Sequence, residues 1–481
     1  MNLADALEIH AAARPDHPAV VAGDLSLSHA EFAARVQGMA AALVARGVTA
    51  GDLVGVCLRD SPEHLIANFA VVRLGAILLP MDWRWTSGEK ERLADHFGAR
   101  LVLAEAEETA LAKTRVVVGE LSGEGLAAPA VAPGGDAPLL LSLSSGTTGR
   151  PKGPCITHDH MLCRFRTHWI NIGLNAADRY VSATPLYFGG GRTFAMSVLF
   201  SGGTVILFPP PFRAPDLCAE LARTGATSTF LVPTQLRKLL AEGDEMLAPT
   251  RALRTLISSG APLDPEERAE LGRRICGNFI EYYASTEGGG VSISTPASRE
   301  RAPDSVGRPV FAVEVQVVGD DHTPLAAGQV GRLRYRGPGV ATGYYRDDEA
   351  GKDAFRDGWF YPGDLADIDA GGHIHLRGRV KDVIIRGGVN IHPSEVETVL
   401  RDHPGVTEAA VVGWPSARLG EEVAAFISVS GPVDDTALVN WCAERLASYK
   451  CPVAYFRVED MPRNSAGKIL KPELVAQLPA R

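Results

Sequence analysis

The sequence predicts an α/β protein in two parts: a large N-terminal domain of several subdomains with mixed sheets (residues 1–380) and a small α+β C-terminal domain (381–481). Three observations carry this. At 481 residues the chain is too long for a single core. Short apolar runs alternate with stretches of helical period, as strands and helices taken in turn do. Beyond Arg379 the pattern changes to a compact succession of strand and helix signals, enough for a separate domain.

The elements follow in chain order. Ser28-x-x-Glu31 has the form of a capping box, and Phe32, Val36, Met39 and Leu43 then recur on one helical face until Gly47 ends it. Residues 53–58 read as a strand and 62–74 as a helix. Residues 119–138, rich in Pro, Gly and Ala, read as a surface connection. An apolar strand-like run at 138–143 comes next, then strand runs at 204–208, 229–232, 256–258 and 279–283. Several of these stop at small or polar residues, where open α/β sheets place ligand-binding loops. In the C-terminal part, an apolar run at 383–385, a glycine pair and a helix opened by Pro393 precede strands at 409–413 and 423–429 and a helix near 436–446.

Composition removes whole classes of function. Lys plus Arg total 48 against 57 Asp plus Glu, a net charge of −9, which is a poor basis for general nucleic-acid binding. No apolar run reaches the length of a membrane span, and residues 1–10 carry acids where a secretory signal has its apolar segment, so a cytoplasmic protein is expected. The seven cysteines are scattered and form no Cys-x-x-Cys pair, so neither a zinc site nor a disulfide framework is suggested.

The chemistry begins at Leu143-Ser144-Ser145-Gly146-Thr147-Thr148-Gly149-Arg150-Pro151-Lys152-Gly153. Glycines let backbone N–H groups turn toward an anion, hydroxyls add donors and a lysine adds charge, which together grip phosphate. The spacing is not that of the common P-loop. The stretch resembles the phosphate loop of the adenylate-forming superfamily, which includes acyl-CoA synthetases, peptide-synthetase adenylation domains and beetle luciferases. Five more segments match it in order: Ser259-Gly260-Ala261-Pro262-Leu263, Tyr283-Ala284-Ser285-Thr286-Glu287, the run from Gly358 to Asp364, the Gly378-Arg379-Val380-Lys381-Asp382 junction with the glycine pair after it, and the run from Pro462 to Lys471.

The resemblance implies a role for each. Ser144, Ser145, Gly146, Thr147, Thr148, Gly149 and Lys152 would hold ATP phosphates. Gly260, Ala261, Pro262, Tyr282, Tyr283 and Ala284 would face adenine, and Asp364 and Arg379 the ribose. Thr286 would donate to phosphate, and Glu287 would hold Mg²⁺ through a carboxylate oxygen. Lys468 would bridge the substrate carboxylate and the α-phosphate. Lys381 takes the hinge position of a mobile C-terminal domain, and Gly387 and Gly388 line the tunnel for the coenzyme A thiol. Three departures stand out: Ala284 replaces a glycine, Pro362 a threonine and Phe188 a histidine.

The acid pocket is assigned to Tyr187, Phe188, Gly189, Gly190, Val232 and Ser259. The segment from Thr184 to Arg192 lacks the aspartate that pairs an amino group, which argues against amino acids, because an unpaired ammonium is costly to bury. Its three glycines either widen the tunnel or form a mobile turn. Arg192 either meets a second carboxylate on the substrate or joins a surface salt bridge. The expected protein is an ATP-dependent carboxylic acid–CoA ligase, a monomer or homodimer, with ATP, Mg²⁺, coenzyme A and a small carboxylic acid as partners. The alternative acceptor is an acyl carrier protein, although no carrier-domain serine motif is seen downstream. A nucleotide-binding regulator without turnover is the rival from another class, and Glu287, Asp364 and Lys468 speak against it.

Overall fold

The computed structural model describes residues 1–108, 111, 114–143, 152–416, 418–463 and 467–479. The chain packs into two compact units, one of Met1–Glu314 with Tyr335–Phe360, the other of Val315–Arg334 with Tyr361–Arg481. This division by packing differs from the sequence boundary at 380/381, since residues 315–334 and 361–380 go with the C-terminal unit.

Two sheets organise the first unit. In the larger, parallel strands lie side by side in the order Pro18–Ala22, Thr204–Leu207, Arg179–Ser182, Ser228–Leu231, Thr255–Ser258 and Phe279–Ser285. Antiparallel strands finish both edges: Leu25–Ser28 on one side, Gly289–Ser294 and then Arg308–Pro309 on the other. The second sheet runs Arg115–Val117, Leu101–Ala104, Leu53–Cys57, Ile77–Pro80 and Pro138–Leu141 in parallel, closed by antiparallel Cys155–Thr157. Leu53–Cys57, Leu101–Ala104 and Thr255–Ser258 are buried along their whole length, which is why they read as continuous apolar or small-residue runs rather than alternating ones.

The helices start where their caps dictate. Ser28 Oγ accepts the Glu31 N–H at 3.2 Å while Glu31 accepts the Ser28 N–H at 2.8 Å, and helix His29–Ala45 begins there. Phe32, Val36 and Leu43 are buried, and Met39 packs half-buried beside them. Gly47 follows at φ +80°, a turn that suits glycine. Ser61 caps helix Pro62–Arg73, nearly all of which is buried. The connection after residue 121 is tied down by side chains: Asn2 donates to the Ala132 carbonyl and Arg73 to that of Pro129.

In the second unit, Asp364–Ile368 pairs antiparallel with Ile374–Arg379. A further sheet places Val406–Ser416 against Gly420–Val429, with Ile384–Arg386 and parallel Ala454–Arg457 on the other side of that strand and Val389–Ile391 beyond Ile384–Arg386. Helices Pro393–Arg401 and Asp435–Arg445 supply Val396, Leu400 and Leu438 to a core with Val411 and Ile427. Trp414, Phe426, Met461 and Leu474 form a second cluster on the opposite face of the same strands. The expected α/β class is what is found: a large multi-sheet N-terminal part and a smaller α+β C-terminal one.

Candidate active site

Strand Phe279–Ser285 turns back through Thr286, Glu287 and Gly288 into Gly289–Ser294, so Thr286-Glu287 forms the tip of a hairpin and not the start of a helix. Beneath the tip lies Arg164, from helix His158–Thr167. Its Nη1 donates to the Thr286 carbonyl at 3.2 Å, Nη2 to that of Glu287 at 2.7 Å and Nε to that of Gly339 at 2.9 Å. Burial pulls its pKa down to about 10, which leaves it charged at neutral pH. Gly289, at φ +68°, lies so close to the Arg164 stem that a Cβ would press on it. Sequence reading missed Arg164, because a helical arginine carries no local signal of the two loops it joins.

Tyr344 was missed as well. Its hydroxyl donates to Glu287 Oε1 at 3.1 Å, and Lys152 Nζ stands 5.4 Å from its ring centroid. The segment is brought there by pairing with the chain that follows the phosphate loop: Cys155 N–H donates to Gly343 at 3.3 Å and Tyr345 N–H to Gly153 at 2.8 Å. Lys152 and Glu287 therefore share one phenol. Ser144, Ser145, Gly146, Thr147, Thr148 and Gly149 lie outside the described residues, as do Asn464, Ser465 and Ala466. The Glu287 carboxylate, half-buried and with one oxygen anchored by Tyr344, fits a hard cation such as Mg²⁺, which would neutralise phosphate charge when bound.

Ser259, Gly260, Ala261 and Pro262 leave the end of strand Thr255–Ser258 as a loop, with Gly260 exposed at φ +104°. Strand alternation separates the two tyrosines. Tyr283 is half-buried, whereas Tyr282 points to the opposite face, where its hydroxyl meets Thr167 Oγ1 at 2.8 Å and its ring lies against Phe194 and His168. The expectation that Tyr282 faces adenine is corrected for its side chain, which belongs to the apolar cluster. Ala284 pairs with Gly290 across the hairpin.

In the second unit Asp364 stands opposite Arg379 in the strand pair, Nε to Oδ1 3.1 Å. Arg379 also donates to the Pro362 carbonyl at 2.5 Å, so the residue that replaces threonine contributes through its backbone. Lys468 lies among these groups. Its side chain is exposed, yet partial desolvation by the surrounding groups lowers its pKa, neighbouring Arg379 and Lys381 lower it further, and Asp364 and Asp382 oppose them. Lys381 is exposed on the short turn Val380–Asp382. Gly387 and Gly388 form the exposed tip of a two-residue hairpin, at φ +57° and +82°, the conformation such turns require.

On the acid side, Tyr187 and Phe188 are half-buried and Val232 is buried at the start of helix Pro233–Leu240. Gly189, Gly190 and Gly191 are the first turn of helix Gly189–Ser201, which corrects the mobile-turn reading. A Cβ on Gly190 would press on the Phe230 ring, and one on Gly191 would overlap the carbonyl oxygens of Thr184 and Pro185. Phe194 stacks between His168, 4.2 Å away by centroids, and Phe230, 5.0 Å away. Arg192 is 1% exposed and makes no salt bridge among the described residues: it donates to the Leu186 and Tyr187 carbonyls and to Ser142 Oγ, so that alternative is also corrected.

Residues 7–345 match the family described as AMP-binding enzyme, and residues 395–468 match the AMP-binding enzyme C-terminal domain. The chain belongs to the AMP-binding enzyme family. Among relatives, it is 33% identical to a feruloyl-CoA synthase of an Amycolatopsis species over 96% of both chains, and 32% identical to the indoleacetate–CoA ligase of Aromatoleum aromaticum over 100% of this chain and 99% of that one. Among solved structures, the o-succinylbenzoate CoA synthetase of Bacillus subtilis with its acyl-adenylate superposes at a TM-score of 0.88, with 28% identity, covering 98% of this chain and 97% of that one; the same protein is also known with ATP and magnesium ion. This AMP-binding enzyme is an acid–thiol ligase: it uses ATP and Mg²⁺ to convert a carboxylic acid to its acyl adenylate and then forms the thioester with coenzyme A. No helix among the described residues is long and apolar enough to cross a membrane.

Proposed function

We propose that this ligase activates an aromatic carboxylic acid, an arylacrylic or arylacetic acid in type, and passes it to free coenzyme A in the cytoplasm. The observation that supports the choice of acid is an aromatic wall at Gly190, with half-buried Tyr187 and Phe188 at the site and the buried core rings of Phe230, Phe194, His168 and Tyr282 packed on one another behind it. A flat substrate ring would gain from offset stacking on the half-buried Tyr187 and Phe188, beyond the area it buries. His168 is neutral there, since burial lowers its pKa to about 3, so the wall offers no charge to a second anionic group. Feruloyl and indoleacetate, in the names of two relatives, are acids of this kind, while other relatives are named for sulfoacetate and long-chain fatty acids; the assignment therefore rests on the wall.

The assigned roles follow from charge. A carboxylate attacking an anionic phosphate must be relieved of repulsion, and Lys468, Lys152, Thr286 and the donors of residues 144–149 would supply that relief. Asp364 and Arg379 would take the ribose, and Gly260 to Pro262 with Tyr283 the adenine. Rotation of residues 381–481 about Lys381 would then exchange Lys468 for the Gly387-Gly388 turn and admit the thiol. Pyrophosphate release measured across a panel of acids, with coenzyme A or a phosphopantetheinylated carrier protein as acceptor, tests the proposal. Higher kcat/KM for arylacrylic or arylacetic acids than for straight-chain acids of equal carbon number, with free coenzyme A preferred, is expected. Preference for straight chains would remove the aromatic assignment, and preference for the carrier would replace the acceptor.

A further inference from the structure

We infer that Arg192 is a positioning residue that shapes the acid gate, residues 184–188, by gripping its backbone from the buried side; this rests on the reading of 184–190 as the acid pocket. Nη1 donates to the carbonyl of Tyr187 at 2.9 Å and of Leu186 at 3.3 Å, while Nη2 reaches Ser142 Oγ at 3.4 Å. Ser142 follows strand Pro138–Leu141, just ahead of the phosphate loop. Among the described residues no carboxylate pairs with this guanidinium, and its Nε has no hydrogen-bond partner.

The placement is electrostatically unfavourable twice over. A cation in the first turn of a helix opposes the helix dipole, and no side chain caps this helix start. A guanidinium taken out of water also costs several kcal/mol unless its donors find acceptors. An apolar side chain would fill the space at less cost, so bulk does not account for an arginine here. What the guanidinium alone supplies is a planar fork, with Nη1 on two consecutive carbonyls of the gate and Nη2 on Ser142 ahead of the phosphate loop.

The gate is held on its other sides too. Asp60 accepts the Leu186 N–H at 2.9 Å, so the Leu186 residue is clasped by an anion at its N–H and a cation at its C=O. Arg84, bound to both oxygens of Asp82 at 3.0 and 2.8 Å, donates to the Tyr187 hydroxyl and lies over its ring. Gly191 leaves the helix start no slack against Thr184 and Pro185. With the segment fixed at these points, the directions of Tyr187 and Phe188, the two half-buried rings of the gate, depend on the Arg192 fork.

Steady-state kinetics of Arg192→Met, Arg192→Lys and Phe188→Ala, with acid and ATP varied separately, test this. Arg192→Met is expected to raise KM for the acid about tenfold or more while KM for ATP stays within about threefold. Arg192→Lys, which keeps the charge but not the fork, is expected to recover part of the loss. If Arg192→Met does not fold, the same split in Arg192→Lys decides. Parallel rises in both KM values with a lowered thermal midpoint would make Arg192 a core support and overturn the inference. An unchanged acid KM in both Arg192 variants, beside altered acid selectivity in Phe188→Ala, would overturn it and leave the gate intact; no acid effect in Phe188→Ala either would remove the gate and the inference together.

Discussion

At the scale of single residues, Arg164 and Lys468 show two uses of a cation, one buried and one exposed. Arg164 spends its donors on carbonyls of Thr286, Glu287 and Gly339, so it fixes where the Glu287 carboxylate stands. A lysine cannot span three acceptors as a planar fork does. Arg164→Lys should therefore lower acid-dependent ATP–pyrophosphate exchange by about tenfold or more and raise the Mg²⁺ concentration needed for half-maximal rate. Lys468 acts through its charge. Because partial desolvation and nearby cations lower its pKa, it loses its proton at a lower pH than a free lysine, and the protonated form is the one that relieves repulsion. The alkaline limb of the exchange reaction should lie below the usual lysine range and move upward in Lys468→Arg. Lys468→Ala should abolish exchange yet spare thioester formation from supplied acyl-AMP; equal loss of both half-reactions would contradict its role.

At the scale of elements, the hairpin at Gly387-Gly388 separates fold from function. Both residues need positive φ, and a Cβ at Gly388 would meet open space. Gly388→Leu thus costs about 1–2 kcal/mol of backbone strain without displacing a neighbour. Its exposed flanks, Ile385 and Val389, are apolar. Single-turnover measurements should show the coenzyme A step slowed while adenylation stays within about threefold. An unaffected thioester step would remove the tunnel assignment. The turn was legible beforehand as a glycine pair between apolar runs. Helix Gly189–Ser201 was not: three glycines suggest a turn, and only contact with Thr184, Pro185 and Phe230 shows why side chains are excluded there.

At the scale of the whole molecule, the buried histidines set the response to acid. Burial lowers His29, His64 and His158 to about 4 and His168 to about 3. In the unfolded chain they bind protons below the ordinary histidine value, whereas in the folded protein they stay neutral down to those lower values. The unfolded state then holds more protons, so stability falls as pH drops from about 6.5 toward 4. Urea midpoints should decline over that window, and His168→Phe, which keeps the stack on Phe194, should flatten the decline; a midpoint constant from pH 7 to 5 would contradict it.

The sequence by itself determined the order of elements, because capping boxes, apolar runs and glycine stops are local signals; the helix opened at Ser28 and the strand at Thr255–Ser258 stand where those signals put them. It also determined the reaction class, because the residues that handle a nucleotide and a carboxylate lie in short contiguous motifs. Only the tertiary structure decided which face Tyr282 takes, that Tyr344 meets Glu287, and that Arg164 and Arg192 lie buried beneath backbone carbonyls. Those contacts join segments far apart in the chain, and a side chain whose partners are distant backbone atoms leaves no periodicity or spacing in its own neighbourhood.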